Sequence, residues 1–116
     1  MSIVAVPDTV ETLQRALLPV AALRLLAHAP QHGYALIGAL RAAGFAKAQG
    51  GTLYPLLRAM EEDGLVTSRW EVEGAGPARK IFEATSRGAA RVSADESTIE
   101  ESVRVLRRLG APGGTR

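Results

Sequence analysis

Residues 50–64 read GGTLYPLLRAMEEDG, and the fold prediction depends chiefly on them. Its apolar residues Leu53, Leu57 and Met60 recur at three- and four-residue intervals. This spacing predicts a helix over residues 51–63 with those three side chains on its buried side. Glycine at the start of a helix lets other molecules approach the backbone, and the free amide groups there attract phosphate.

A second amphipathic helix is predicted just upstream, over residues 33–43, with Gly44 as its stop. Downstream, residues 65–72 are rich in β-formers and residues 78–84 alternate in polarity. The turn cluster GAGP at 74–77 lies between them, which predicts a hairpin. The fold class is therefore mainly α with a small two-stranded antiparallel hairpin, a winged helix-turn-helix.

The sequence of the N-terminal part also indicates helical structure. Asp8 and Glu11 have the spacing of a capping box, so a helix should begin near Asp8. Pro19 lacks a backbone donor and clashes with the preceding turn, so the helix either kinks there or ends and restarts. We favour the second alternative, with two helices over about residues 8–18 and 19–28.

In the C-terminal part, Thr85 or Ser86 can cap a last helix whose apolar face is suited to a partner subunit. The alternative is that this helix is split by a break near Ser93. Its apolar residues approach a three-four repeat, which indicates a dimer interface formed by Val92, Ile99, Val103, Leu106 and Leu109. The chain then divides into an N-terminal extension with a short helix (1–18), a winged helix-turn-helix domain (19–85), a dimerisation helix (86–109) and a disordered tail (110–116).

Composition limits the function. The 116 residues are 47% hydrophobic, enough for one core, and the formal net charge is only +2. Any nucleic-acid surface must therefore come from the placement of charges rather than from an excess of them. The absence of cysteine excludes disulfides and thiolate sites and suits the cytoplasm. No signal segment or membrane span is indicated.

The sequence offers no catalytic or metal-binding pattern. His28 and His32 have i, i+4 spacing, but Pro30 breaks the helical geometry between them. No nucleophile beside a base and no phosphate loop with its lysine can be assembled. We therefore expect no enzyme activity, no metal and no cofactor.

The helix over 51–63 is the candidate recognition helix, with Thr52 and Arg58 as base or phosphate contacts. Arg79 and Lys80 follow the hairpin loop and point to opposite faces of a strand, so that they can straddle a phosphate strand. The acidic residues at 61–63 would repel DNA, so that end of the helix should point away from the duplex. The alternative is a winged helix that serves as a protein-interaction or dimerisation module without direct DNA binding.

Several motifs together resemble the PadR family of transcription regulators. They are GTLYPLL at 51–57, Glu61, GLV at 64–66 and RW at 69–70, with HGY at 32–34 upstream and GPARKIF at 76–82, Thr85 and Gly88 downstream. The resemblance covers roughly residues 20–92.

The resemblance implies a homodimeric winged-helix protein, usually a repressor. Because a dimer presents two recognition helices to double-stranded DNA, we expect its operator to be roughly palindromic. The residues that it assigns to DNA contact are Tyr34, Thr52, Tyr54, Pro55, Arg79 and Lys80, to which residue-based reasoning adds Gly51 and Arg58. A small-molecule effector of unknown identity is a further expected partner. Trp70 is expected to pack in the core or against the wing rather than to stack on a ligand.

Overall fold

The computed structural model describes residues 8–72 and 74–110. Four helices and three strands follow one another along this part of the chain. They are α1 (Thr9–His28), β1 (Gln31–His32), α2 (Gly33–Ala43), α3 (Gly50–Glu62), β2 (Val66–Glu71), β3 (Arg79–Ala84) and α4 (Ser86–Gly110). None of these helices is long and apolar enough to cross a lipid bilayer.

Helix α1 begins where the capping pattern predicts, because the Asp8 carboxylate accepts hydrogen bonds from the backbone amides of Val10 and Glu11. The prediction of two helices separated at Pro19 is wrong, since α1 runs through this proline. An internal proline costs a helix about 3 kcal/mol. Burial of Leu18, Ala22, Leu23 and Leu26 on both sides of Pro19 offsets that cost and holds α1 in one piece.

The turn between α2 and α3 is fixed by hydrogen bonds. Gly44 ends α2 with φ 120°, a backbone conformation that residues other than glycine rarely adopt. The amide of Phe45 then donates to the Leu40 carbonyl at 2.9 Å. The Arg41 Nε donates to the Ala48 carbonyl at 2.6 Å, which ties the end of α2 to the connection that leads into α3. Helices α2 and α3 are therefore held at a defined angle.

The sheet has one strand more than the predicted hairpin. Its order is β1-β3-β2, and both pairings are antiparallel. The additional strand β1 places Gln31 opposite Phe82 and His32 opposite Ile81. Because β1 has only two residues, it shows no periodicity from which a strand could be predicted. It forms only because β3 offers a free edge. The sheet thereby connects the wing directly to the start of α2.

One apolar core lies between the helices and the inner face of the sheet. It draws residues from every helix and from β2 and β3, so that the helix pair and the wing share it. Its largest fully buried side chains are Leu23, Leu26, Leu36, Leu40, Leu53, Leu57 and Val66. The predicted inward positions of α3 are accordingly buried, and in α2 Leu36 and Leu40 are buried while Ile37 is partly covered.

Helix α4 is continuous through Ser93, and Thr85 caps it by accepting a hydrogen bond from the Gly88 amide at 3.1 Å. Its first half packs against α1, whereas every residue from Glu100 to Gly110 is exposed. The radius of gyration is 18.0 Å, against about 13 Å for a compact domain of 100 residues. Gly110 of the predicted disordered tail belongs to α4, and the tail's residues 111–116, like residues 1–7 of the N-terminal extension, lie outside the described part.

Candidate nucleic-acid interface

A groove of about 520 Å³ separates α3 from the sheet and extends to the start of α2. We call it the wing groove. It is bordered by cationic, aromatic and hydroxyl-bearing side chains together with one carboxylate. Its lining residues are His32, Gly33, Tyr34, Tyr54, Arg58, Glu61, Trp70, Arg79, Lys80 and Phe82.

The helical wall of the wing groove is formed by one stripe of α3. Tyr54, Arg58 and Glu61 are spaced i, i+4, i+7 and therefore share a face that lies beside the buried face of the helix. The buried face consists of Leu53, Leu57 and Met60, as the sequence predicts. Packing of that apolar face against the core thus turns the polar stripe towards the wing.

The opposite wall is formed by the strands of the wing. Trp70 of β2 is the cross-strand partner of Lys80 of β3, so both side chains lie on the same face of the sheet. That face is the inner one, because it also carries the buried Val66 and Phe82. The Lys80 ammonium lies 5.6 Å from the centre of the Phe82 ring, within range of a cation–π contact.

Arg79 starts on the other face of the strand but also reaches the wing groove. Its neighbour across the strands is Glu71, whereas its guanidinium Nη1 lies 3.2 Å from Nε2 of His32. His32 in turn caps α2, since its Nδ1 accepts a hydrogen bond from the Ala35 amide at 3.2 Å. Arg79 and Lys80 therefore leave the strand on opposite sides and still border one groove, as a pair that straddles a phosphate strand requires.

Tyr54 lies where the two motif helices begin. A Cβ atom added to Gly33 would come within 2.5 Å of the Tyr54 ring and hydroxyl, and one added to Gly50 within 3.2 Å of the ring. The two glycines thus leave the space in which the ring lies. Tyr34, on the first turn of α2, is 81% exposed at the same end of the wing groove.

The remaining predicted contacts lie outside the wing groove. Gly51, Thr52 and Pro55 are exposed on the outer face of α3 and do not line it. Thr52 borders a different cavity of about 600 Å³ between α1 and the connection from α2 to α3. The structure therefore brings Tyr34, Tyr54, Arg58, Arg79 and Lys80 together and presents the tip of α3 beside them.

Two residues that line the wing groove were not identified as groove residues from the sequence. Trp70 is 68% exposed, so the prediction that it packs in the core or against the wing is wrong. Glu61 lines the groove, although the acidic end of α3 was expected to point away from the duplex. The position of Glu61 could have been predicted from helical spacing, because Glu61 is seven residues after Tyr54 and therefore lies on the same stripe of α3. Trp70 gave no such signal, since aromatic residues in strands usually bury their area.

The fold, with its exposed helix tip beside a cation-bearing wing, defines a winged helix-turn-helix protein. Residues 22–94, more than half of the chain, match the transcriptional regulator PadR-like family, and the chain belongs to it. It is therefore a transcriptional regulator rather than an enzyme, and DNA binding is implied. The family resemblance and the fold class expected from the sequence are confirmed.

Individual relatives agree with this assignment. The chain is 38% identical over 85 residues to the transcriptional regulator Rv3488 of Mycobacterium tuberculosis, a match that covers 71% of this chain and 78% of that protein. The crystal structure of a PadR family regulator from Eggerthella lenta has a TM-score of 0.75 at 30% identity and covers 90% of this chain and 88% of its own. A PadR-like regulator from Bacillus cereus has a TM-score of 0.73 at 25% identity, covering 86% and 98%.

Proposed function

We propose that this chain is a cytoplasmic repressor that binds a roughly palindromic operator as a homodimer and blocks a promoter. The observation that carries the proposal is the wing groove, in which Arg58, Arg79 and Lys80 border the same opening beside an exposed helix tip. In this arrangement the outer face of α3, with Gly51, Thr52 and Pro55, enters the major groove. The cations of the wing groove hold the flanking phosphates.

The roles within the site follow from chemistry. The exposed hydroxyl of Thr52 can donate to or accept from a base edge, whereas arginine and lysine side chains contact any phosphate. The hydroxyls of Tyr34 and Tyr54 lie at the same end of the wing groove and can donate to the backbone of the duplex. Sequence preference is therefore assigned to the tip of α3, and affinity to the wing.

Selection of bound duplexes from random DNA tests this function. Two recognition helices of a dimer should select half-sites about 34–36 Å apart, or one helical turn. If the dimer neutralises about 6 to 10 phosphates, affinity should fall about a thousandfold or more between 50 and 200 mM salt. Failure to enrich any sequence, together with affinity that does not respond to salt, would contradict the proposal and favour the protein-interaction module.

The dimer of this proposal is formed by α4, within residues 86–109. Leu106 and Leu109 are 67% and 72% exposed, and Val103 lies on the same side of the helix. Large apolar side chains on a projecting helix indicate a partner surface. Ile99 is partly buried and borders this surface, whereas Val92 is only 6% exposed and already packs in the subunit's own core. We therefore leave Val92 out of the proposed interface.

Two further features belong to the proposal. Val10 and Leu13 of α1 are also exposed and can extend the interface within the N-terminal extension, residues 1–18. The DNA-binding unit is assigned to residues 19–85, although α1 crosses the boundary at residue 18. A small-molecule effector is a further partner within this proposal.

Replacing Leu106 by aspartate should convert the dimer to monomers. An unpaired charge in an apolar helix seam costs several kcal/mol. Because Leu106 lies outside the subunit core, the helical content should stay unchanged. Light scattering measures the mass, and Arg104→Asp on the opposite face of α4 is the control that should stay dimeric. A dimeric Leu106→Asp variant would move the interface elsewhere.

A further inference from the structure

A carboxylate lies within the wing groove among cations that are suited to phosphate. Among the lining residues within 8–72 and 74–110, Glu61 alone carries a carboxylate, and Arg58, Arg79 and Lys80 surround the same space. A negative charge at the place where a polyanion should bind opposes binding. Its presence there calls for a role beyond the stability of the helix.

Hydrogen bonding fixes the Glu61 carboxylate in place. Its Oε2 accepts a hydrogen bond of 2.6 Å from the Ser68 hydroxyl, so the side chain is anchored to β2 across the wing groove. Its Oε1 lies 3.9 Å from the Lys80 ammonium, and the Glu61 side chain is only 35% exposed. Glu61 therefore cannot leave the groove without losing the bond to Ser68 and the attraction of Lys80.

We propose that Glu61 competes with DNA phosphate for Lys80 and thereby weakens binding to duplexes of every sequence. A phosphate that pairs with Lys80 in its present position would lie close to the Glu61 carboxylate, and like charges at such distances repel. The alternative is that Lys80 swings out and gives up its ion pair. In either case binding must overcome an interaction that already exists in the free protein.

The consequence is a limit on sequence-independent binding. Contacts to phosphate supply essentially all of the affinity for non-specific DNA, and a regulator must leave such sites quickly to find its own. Glu61 lowers the contribution of one wing cation to this term. The tip of α3 lies on another face of the helix, so the order of preference among sequences should stay the same.

The test is Glu61→Gln, which keeps the shape of the side chain and an acceptor for Ser68. This inference rests on the DNA binding proposed above. Exposed ion pairs change equilibria by up to about fivefold each, so a dimer of the variant should bind both operator and random duplex up to about 25-fold more tightly. The salt dependence should become steeper, because more counterions are released when the carboxylate no longer neutralises Lys80.

Two comparisons separate competition for Lys80 from a change in net charge. Glu62→Gln removes the same charge from the next residue, which is exposed and does not line the wing groove. It should change affinity far less. In a Lys80→Ala background, Glu61→Gln should have almost no effect, since the coupling between the two residues is then absent. Thermal denaturation of each variant verifies folding.

The outcomes are distinguishable. Tighter binding by Glu61→Gln that requires Lys80 supports the inference. Unchanged or weaker binding overturns it, as does an equal gain from Glu62→Gln or a gain that persists without Lys80. A wild-type protein that binds no duplex overturns the proposed function, and with it this inference.

Discussion

Replacing Gly88 by alanine should destabilise the protein by about 3 kcal/mol or more. A Cβ atom at this position would lie 2.1 Å from the carbonyl oxygen of Leu65. This carbonyl cannot move away, because it accepts a hydrogen bond from the Thr85 amide at 3.0 Å. The Thr85 hydroxyl also donates to the Gly64 carbonyl at 2.7 Å, so both sides of the contact are backbone held in place.

Helix propensity alone predicts the opposite sign for this substitution, since alanine favours a helix over glycine by about 1 kcal/mol. Gly38→Ala supplies the matched control. Gly38 is also inside a helix, but a Cβ atom there would meet nothing within 4 Å. Thermal denaturation followed by circular dichroism should show Tm lower by roughly 10–20 °C for Gly88→Ala and slightly higher for Gly38→Ala. A Gly88→Ala variant as stable as the wild type would contradict the close packing of α4 on Leu65.

Replacing Arg79 and Lys80 together by alanine should weaken DNA binding on the order of 100-fold or more per subunit at 50 mM salt, because each charged contact contributes about 1.5–3 kcal/mol. The loss should be similar for operator and random duplex, since both side chains are assigned to phosphate. The slope of affinity against salt should also flatten, by close to two phosphates per subunit. Fluorescence anisotropy of a labelled duplex over a salt series measures all three effects.

The control removes two cations from α4. Arg91 and Arg104 are paired within their own helix, with Asp95 and Glu101, and neither lines the wing groove. Arg91→Ala with Arg104→Ala changes the net charge by the same amount and should leave both affinity and slope close to wild type. Equal losses from the two double variants would mean that total charge, rather than the wing, governs binding.

A change at the tip of α3 should behave differently from one in the wing. Thr52→Val removes a hydroxyl but no charge from an exposed position, so sequence preference should change while the salt slope stays constant. A uniform loss on all sequences would instead assign Thr52 to the backbone of the duplex. Selection from random DNA with the variant distinguishes these results.

Periodicity predicted those parts of the fold in which burial repeats. The inner face of α3 was predicted correctly from the spacing of Leu53, Leu57 and Met60. Because these side chains are buried, Tyr54 and Arg58 lie beside the wing. The same reasoning failed at Pro19, because a local rule about one proline cannot weigh the apolar stripe that continues past it. Local signals are reliable where tertiary packing agrees with them.

The other features that the sequence did not reveal depend mainly on contacts between separate elements. β1 depends on pairing with β3, which follows it by about fifty residues. Glu61 was assigned from the charge of its neighbours, although its partners Ser68 and Lys80 come from two strands of the wing. Trp70 was expected to be buried because of its type, whereas its strand extends beyond the core. The pairing of β1 with β3 and the approach of Glu61 to Lys80 have no signature within a short window of sequence.

His32 ends a strand and caps a helix at once. Strand β1, which pairs with β3 of the wing, therefore continues directly into α2, so the wing and α2 cannot fluctuate independently. Such a binding surface loses much of its conformational entropy during folding, so the further loss of conformational entropy on binding the duplex is small. The heat-capacity change of binding should then report the apolar surface that is covered, without a contribution from coupled folding of the wing.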